Sequence, residues 1–326
     1  MKYRVTILTP TLAGDGQRLS PIDYMVWKDQ VNVIDQRRIF KMLAKSPRLE
    51  PYLVQIRRAT RLDFASWGGY AQNYALRRIP FEHPSLTAAW ERARVENLHI
   101  PTFATDFAGP LIAGSAIKGA VRTAATVERW RSRGVEKVIE TAAKRAEGRV
   151  PRFLAQFADN ESPRASFADA RLVSGELKVY QVQTSRLQNG VLSWKDSMPA
   201  FAEMAVPGTV FEGRWSGELP PLGESSALLE NQIVYAKEAK LAHVAATLEA
   251  LRGRPGLLSL GWGGGFLSKT AASDTSPEAY RQILRAMPYY ARAIQTGLAF
   301  PKTRRIVTMD QKPAAIPGWI SLEPAD

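Results

Sequence analysis

Polar and apolar residues alternate from Lys2 through Tyr3, Arg4, Val5, Thr6 and Ile7 to Leu8, the period-two pattern of a half-buried strand. Pro10 and the Gly14-Asp15-Gly16 turn end it. Two short apolar runs, 25–27 and 31–34, flank Lys28-Asp29-Gln30 and predict a hairpin. Asp35 then caps a helix that runs to about residue 45. Residues 46–108 mix arginine pairs (Arg57-Arg58, Arg77-Arg78) with aromatics (Trp67, Tyr70, Tyr74). No Gly/Ser-rich linker sets them apart, so residues 35–108 read as a helical insertion within a single domain spanning 1–326.

Ser115 precedes a helical pattern over 116–133 that carries Arg122, Arg129, Arg131 and Arg133, and a second helix is expected over 135–146. Strand patterns return at 165–173 and 177–182, joined by Ser174-Gly175, at 191–194 after Asn189-Gly190, and at 210–215. The longest helical pattern covers 225–251 and is closed by Gly253 and Pro255. Beyond it come a glycine-rich run at 261–266, a helix over 277–296 and a last strand over 304–309. Strands and helices are interspersed without a βαβα repeat, which favours an α+β fold over a doubly wound sheet.

The chain's 326 residues are 45% hydrophobic and 23% charged, a globular composition that excludes wholesale disorder. Lys and Arg total 44 against 31 Asp and Glu, giving +13, and the 44 comprise 30 Arg and 14 Lys. Arginine's flat fork suits phosphates and base faces, so a polyanionic partner is expected. With no cysteine, disulfide scaffolds, Cys-rich zinc sites and thiol nucleophiles are excluded. The start has no long apolar run, and no window approaches the roughly 20 apolar residues of a membrane helix. A soluble, cytoplasmic protein with no membrane contact is therefore expected.

Chemistry-bearing motifs are sparse. The histidines, His83, His99 and His243, form no i,i+4 metal pair, and the G-x-S-x-G elbow of serine hydrolases is missing. The stretch Gly265 to Thr270 ends in Lys269-Thr270 like a P-loop, yet Ser268 stands where the second glycine must be. Gly261-Trp262-Gly263-Gly264-Gly265-Phe266 approximates a dinucleotide fingerprint, with Phe266 at the third glycine. Neither a nucleotide cofactor nor a metal is expected.

Four segments in order carry more information together than apart. Thr9-Pro10 leads through Gly14 and Gly16 to Leu19-Ser20-Pro21-Ile22-Asp23-Tyr24; then comes Gly114-Ser115-Ala116-Ile117-Lys118-Gly119-Ala120-Val121-Arg122. The third is Leu260-Gly261-Trp262-Gly263-Gly264-Gly265-Phe266-Leu267-Ser268-Lys269-Thr270, and the last is Pro301-Lys302-Thr303-Arg304-Arg305 with Pro317-Gly318-Trp319-Ile320. The series resembles the RAMP superfamily of CRISPR effector subunits. Within it, the nearest likeness is to the subunits that cap the crRNA 3′ end in type III-A Csm complexes.

The resemblance implies a ferredoxin-like (RRM-like) α+β core with a thumb hairpin, here at residues 183–205, where Trp194 or Met198 either wedges against a base or packs inside. It implies a non-catalytic crRNA-binding subunit that caps the backbone filament and supports guide maturation and antiviral defence. The partners would be crRNA, target RNA and the neighbouring RAMP backbone and small helical subunits of the ribonucleoprotein. The RNA-binding residues would be Ser115, Lys118, Arg122, Gly263, Gly264, Gly265, Lys269, Lys302, Arg304 and Arg305. Physically, small residues opening a helix leave N–H groups and a dipole that favour phosphate, while Lys118 and Arg122 either add charge to that face or simply meet water. The glycine run is either a plain turn or a place where a nucleic-acid backbone passes close. Asp23 decides the alternative, a metal-dependent endoribonuclease cleaving target RNA: it is either a metal ligand or a structural residue, and a lone carboxylate is a poor magnesium site.

Overall fold

The computed structural model describes residues 1–58, 61–62, 71–130, 164–188, 190–195, 199–218, 225–265, 268 and 303–325. The helices expected over 135–146 and 277–296 lie outside these residues. The first strand, β1 (Lys2–Ile7), buries Tyr3, Val5 and Ile7 and exposes Lys2 and Arg4, so one face of its sheet is core and the other meets solvent. β2 is Arg18–Leu19; β3 (Tyr24–Val26) and β4 (Gln30–Ile34) form the expected hairpin. Lys28 and Asp29 both take positive φ, 50° and 57°, in the turn between them, as a tight hairpin requires. Asp35 accepts a 3.0 Å hydrogen bond from the Arg38 N–H and starts α1 (Gln36–Leu43), which is followed by α2 (Leu49–Arg58).

The 35–108 stretch also holds elements the sequence pattern did not separate: β5 (Ala75–Pro80), α3 (Leu86–Arg92), β6 (Ile100–Pro101) and β7 (Thr105–Asp106). β5 pairs along β4, completing a three-stranded sheet β3-β4-β5, while β2 pairs with β6. β8 (Gly109–Ile112) leads into α4 (Gly114–Trp130), whose Ile117, Val121 and Ala124 are buried at helical spacing. β9 (Ser166–Phe167) and β10 (Ala170–Ser174) are separated from β11 (Leu177–Gln188) by Gly175 at φ +101°. β12 (Val191–Lys195), β13 (Phe201–Ala205) and β14 (Val210–Ser216) follow.

The long helical pattern of 225–251 splits into α5 (Ser226–Glu238) and α6 (Ala242–Glu249). Lys240 at φ +55° makes the break, a left-handed residue that helical periodicity cannot reveal. β15 (Leu257–Ser259), β16 (Thr303–Met309), β17 (Lys312–Ala315) and β18 (Trp319–Ala325) complete the described elements.

Among the described residues the largest sheet runs β15-β18-β1-β14-β10-β8-β7, with β9 beside β14. A second sheet runs β12-β11-β16-β17, with β13 on β11. β10 and β11, adjacent in sequence, therefore belong to different sheets. Alternation along β16 gives its two faces separate cores: Val307 joins the main core with Val5, Ile117 and Phe211, whereas Ile306 packs with Leu229, Ile233 and Val244 of α5 and α6. Residues 183–205, expected as a thumb, comprise the outer half of β11, the β12 return and the wholly buried β13. Trp194 is partly exposed on β12, opposite Ser185, and Met198 lies outside the described residues.

The segment after β1 ties the layers together. Thr11 exchanges backbone hydrogen bonds with Ala205 (3.2 and 2.8 Å), the Leu12 carbonyl accepts from Trp262 N–H (2.9 Å), and the Pro10 carbonyl accepts from Gly318 N–H (3.2 Å). Three of the four sequence motifs thus meet at one backbone crossing. Among the described residues no helix is long and apolar enough to cross a membrane.

Candidate nucleic-acid interface

A cleft of about 870 Å³ opens beside this crossing. Its walls come from the loop after β1 (Gly14, Asp15, Gly16, Gln17, Arg18), from one flank of α4 (Ala116, Gly119, Ala120, Arg122, Thr123), and from the glycine-rich run (Leu260, Gly261, Trp262) with Ser268. The β7–β8 hairpin supplies Thr105, Asp106 and Leu111. Small residues on α4 leave room there, and Arg18 and Arg122 give the cleft cationic side chains.

The residues singled out in the sequence are distributed unequally around it. Arg122 lines the cleft. Lys118 does not, although it lies one turn before Arg122 and within about 40° of it on the same face of α4. Ser115 is exposed at the start of the same helix. The α4 N-terminus is less open than its small residues suggest, because the Gly114 N–H donates to the Asp169 carboxylate at 2.8 Å and the Ala116 N–H to the Ala113 carbonyl at 2.9 Å. Glycine is required at 114 for packing, since a Cβ there would collide with the Phe167 carbonyl. An intramolecular carboxylate therefore occupies one of the amides expected to meet a phosphate.

The glycine run divides in the same way. Gly263 and Gly264 are buried; a Cβ on the first would press on Pro317 (2.5 Å) and on the second on the Ser268 and Ser259 hydroxyls (2.8 and 2.9 Å). The space they vacate is filled by the protein itself. Gly265 is exposed at φ +87°, and a Cβ there would meet nothing within 4 Å, so of these three it alone borders open space. Lys269 and Lys302 lie outside the described residues.

Arg304 and Arg305 point oppositely, as successive residues of β16 must. Arg304 is 7% exposed, sits 4.8 Å from the Tyr235 ring centroid and donates to Asn231 Oδ1 at 3.1 Å, on the α5 side of the sheet. The expectation that it faces an RNA is corrected: strand alternation turns it into the second core. Arg305 stands on the other face of β16, its guanidinium 4.2 Å from the centroid of the cleft residue Trp262, and desolvation lowers its pKa below the usual guanidinium value. Trp262 and Arg18 are cleft residues that sequence reasoning did not single out, although both fall within the quoted motifs.

The second half of the first motif is tied into its own turn and its neighbours by hydrogen bonds. Asp23 Oδ2 accepts from the Ser20 N–H (2.7 Å) and hydroxyl (2.6 Å), and Oδ1 accepts from Gln36 Nε2 (3.3 Å). Tyr24 is buried, donates to the Leu98 carbonyl (2.7 Å) and accepts from Trp90 Nε1 (3.0 Å); burial pushes its phenol pKa up. Asp15, in the cleft, accepts from the Gln17 N–H at 2.9 Å. Among the described residues no group of three or more His, Asp or Glu is placed to hold a metal ion.

A family model of the RAMP superfamily matches residues 4–268. The fold is similar to a chain from the cryo-EM structure of the Csm–crRNA–target RNA ternary complex of a type III-A CRISPR-Cas system, with TM-score 0.64 and 18% identity, covering 99% of this chain and 100% of that one. It is also similar to Csm5 of T. onnurineus, with TM-score 0.60 and 15% identity over 98% of this chain and 99% of that one. No curated protein matches the sequence.

Proposed function

Because the chain belongs to the RAMP superfamily, we propose that it is a non-catalytic crRNA-binding subunit of a type III-A CRISPR effector complex, seated at the crRNA 3′ end of the backbone filament. The observation that carries this reading is convergence: segments around residues 12–18, 113–123 and 259–268 build one cleft with Arg18, Arg122 and Trp262 in its wall. On this reading the largest sheet with α4 is the ferredoxin-like core, and the β11–β12 hairpin is the thumb. The guide's phosphates follow Arg18, Arg122 and the exposed Gly265, while target RNA and neighbouring backbone and small helical subunits complete the soluble ribonucleoprotein.

The engaged oxygens of Asp23 support the non-catalytic reading, because a carboxylate spent on a turn and on Gln36 is poorly disposed to hold magnesium. The test is binding of unrelated single-stranded RNAs across a salt series. Affinity should be indifferent to sequence and fall by about 0.7 log unit per log salt for each phosphate neutralised. Weak, salt-insensitive binding would refute the proposal, and magnesium-dependent cleavage of target RNA abolished by Asp23→Ala would replace it with an endoribonuclease.

A further inference from the structure

Phe107 is fully exposed, the most exposed aromatic among the described residues. Single exposed apolar side chains are ordinary on protein surfaces. This one is unusual in how firmly its support is held. It lies in the two-residue loop Phe107-Ala108 between β7 and β8, where Thr105 pairs with Pro110 and Asp106 with Gly109. Asp106 Oδ1 accepts from the Ala108 N–H at 2.8 Å, closing the turn, and Gly109 takes φ +113°. Arg171, from β10, grips both Asp106 oxygens at 2.9 and 2.8 Å. The Leu111 N–H donates to the Ala104 carbonyl at 2.9 Å, next to the buried Phe103.

The same hairpin contributes Thr105, Asp106 and Leu111 to the cleft, so Phe107 stands at its lip. Partly exposed Trp27, Phe40 and Trp194 do not line the cleft. A phenyl ring carried on a braced turn, beside a groove whose wall holds Arg18 and Arg122 together with Asp15 and an Asp106 already paired with Arg171, fits a partner that combines a polyanionic backbone with flat aromatic faces. That partner is single-stranded nucleic acid, which Arg18 and Arg122 favour over an apolar protein pocket, with Asp106 offset by Arg171.

We propose that Phe107 is a stacking post for a nucleobase of single-stranded RNA at the lip of the cleft. This rests on the RNA-binding reading of the cleft. The Asp106–Arg171 brace holds the backbone of the turn that carries the ring, so binding need not order the loop.

The experiment uses the full chain, short single-stranded RNAs carrying 2-aminopurine at successive positions, and the variants Phe107→Ala, Phe107→Leu and Phe107→Tyr. Wild type and Phe107→Tyr should alter 2-aminopurine emission at one position of the register. Phe107→Ala and Phe107→Leu should lose that signal, and Phe107→Ala should bind about fivefold or more weakly, the lower end for loss of one base stack. Unchanged emission and affinity in Phe107→Ala, or Phe107→Leu behaving as wild type, would overturn the stacking role while leaving the cleft an RNA site. Failure of the wild type to bind any RNA would instead overturn the cleft reading and this inference together.

Discussion

The guanidinium of Arg305 lies 4.2 Å from the ring centroid of Trp262, joining a β16 side chain to a residue of the glycine-rich run that lines the cleft. The two residues are far apart in sequence, and each fixes the other's orientation. A partly desolvated cation over an indole is worth about 1–2 kcal/mol.

Trp262→Leu should therefore lower the free energy of unfolding by about that amount and weaken RNA binding severalfold. Arg305→Lys should reproduce most of the loss, since an ammonium does not stack as a guanidinium does. Urea denaturation and filter binding on the same samples check both. Reduced stability with unchanged RNA affinity would confine the stack to a structural role.

Arg122 lines the cleft whereas Lys118, one turn earlier on the same face of α4, does not, so their substitutions should separate. Arg122→Ala is expected to reduce the slope of log affinity against log salt by about 0.7, the share of one single-strand phosphate. Lys118→Ala should leave the slope nearly unchanged. Equal effects would place the guide across the top of the helix instead of along the cleft flank.

Asp106 accepts hydrogen bonds from Arg171 and from the Ala108 N–H, and these hold its pKa at about 2, below the usual 3.8. A depressed carboxylate pKa stabilises the folded hairpin above the unfolded-state value and loses that stabilisation as pH falls through the folded-state value. The Phe107 turn should thus be intact at neutral pH and loosen only as pH drops from near 3.8 towards about 2. Amide resonances of Ala108 and Gly109 followed by NMR will show this titration. Arg171→Ala should move its midpoint up towards the ordinary carboxylate range.

Glu203, fully buried in β13, accepts from the Phe103 N–H at 3.1 Å and pairs with Arg77 of β5. Removing one member of a buried pair strands a charge, which typically costs about 3–5 kcal/mol. Arg77 retains some exposure, so Arg77→Ala should fall near or below the lower end of that range. Arg77→Met combined with Glu203→Gln should recover part of it, as measured by chemical denaturation. A neutral Arg77→Ala would mean that water reaches Glu203.

Much of the fold was legible from local patterns. Lys2 to Leu8, the hairpin at Lys28-Asp29 and the Asp35 cap obey rules that operate within a few residues: period-two burial, turn conformation and a side chain reaching its own helix. The motif order likewise pointed to the RAMP superfamily. Features that stayed hidden depend on partners far along the chain. Lys240 breaks a continuous apolar pattern by a single left-handed residue, and β10 and β11 part into different sheets because each pairs with distant strands. The site shows the same division. Residue order alone dictates that the chain carries +13, rich in arginine, with small residues and glycines at defined places. Which of these face the cleft was settled by long-range packing: it turned Arg304 into the core and Arg305 onto Trp262, placed Asp169 on the Gly114 amide, and raised Phe107 at the lip. Composition sets the total charge, but strand alternation, helix phase and long-range pairing choose the direction of each side chain.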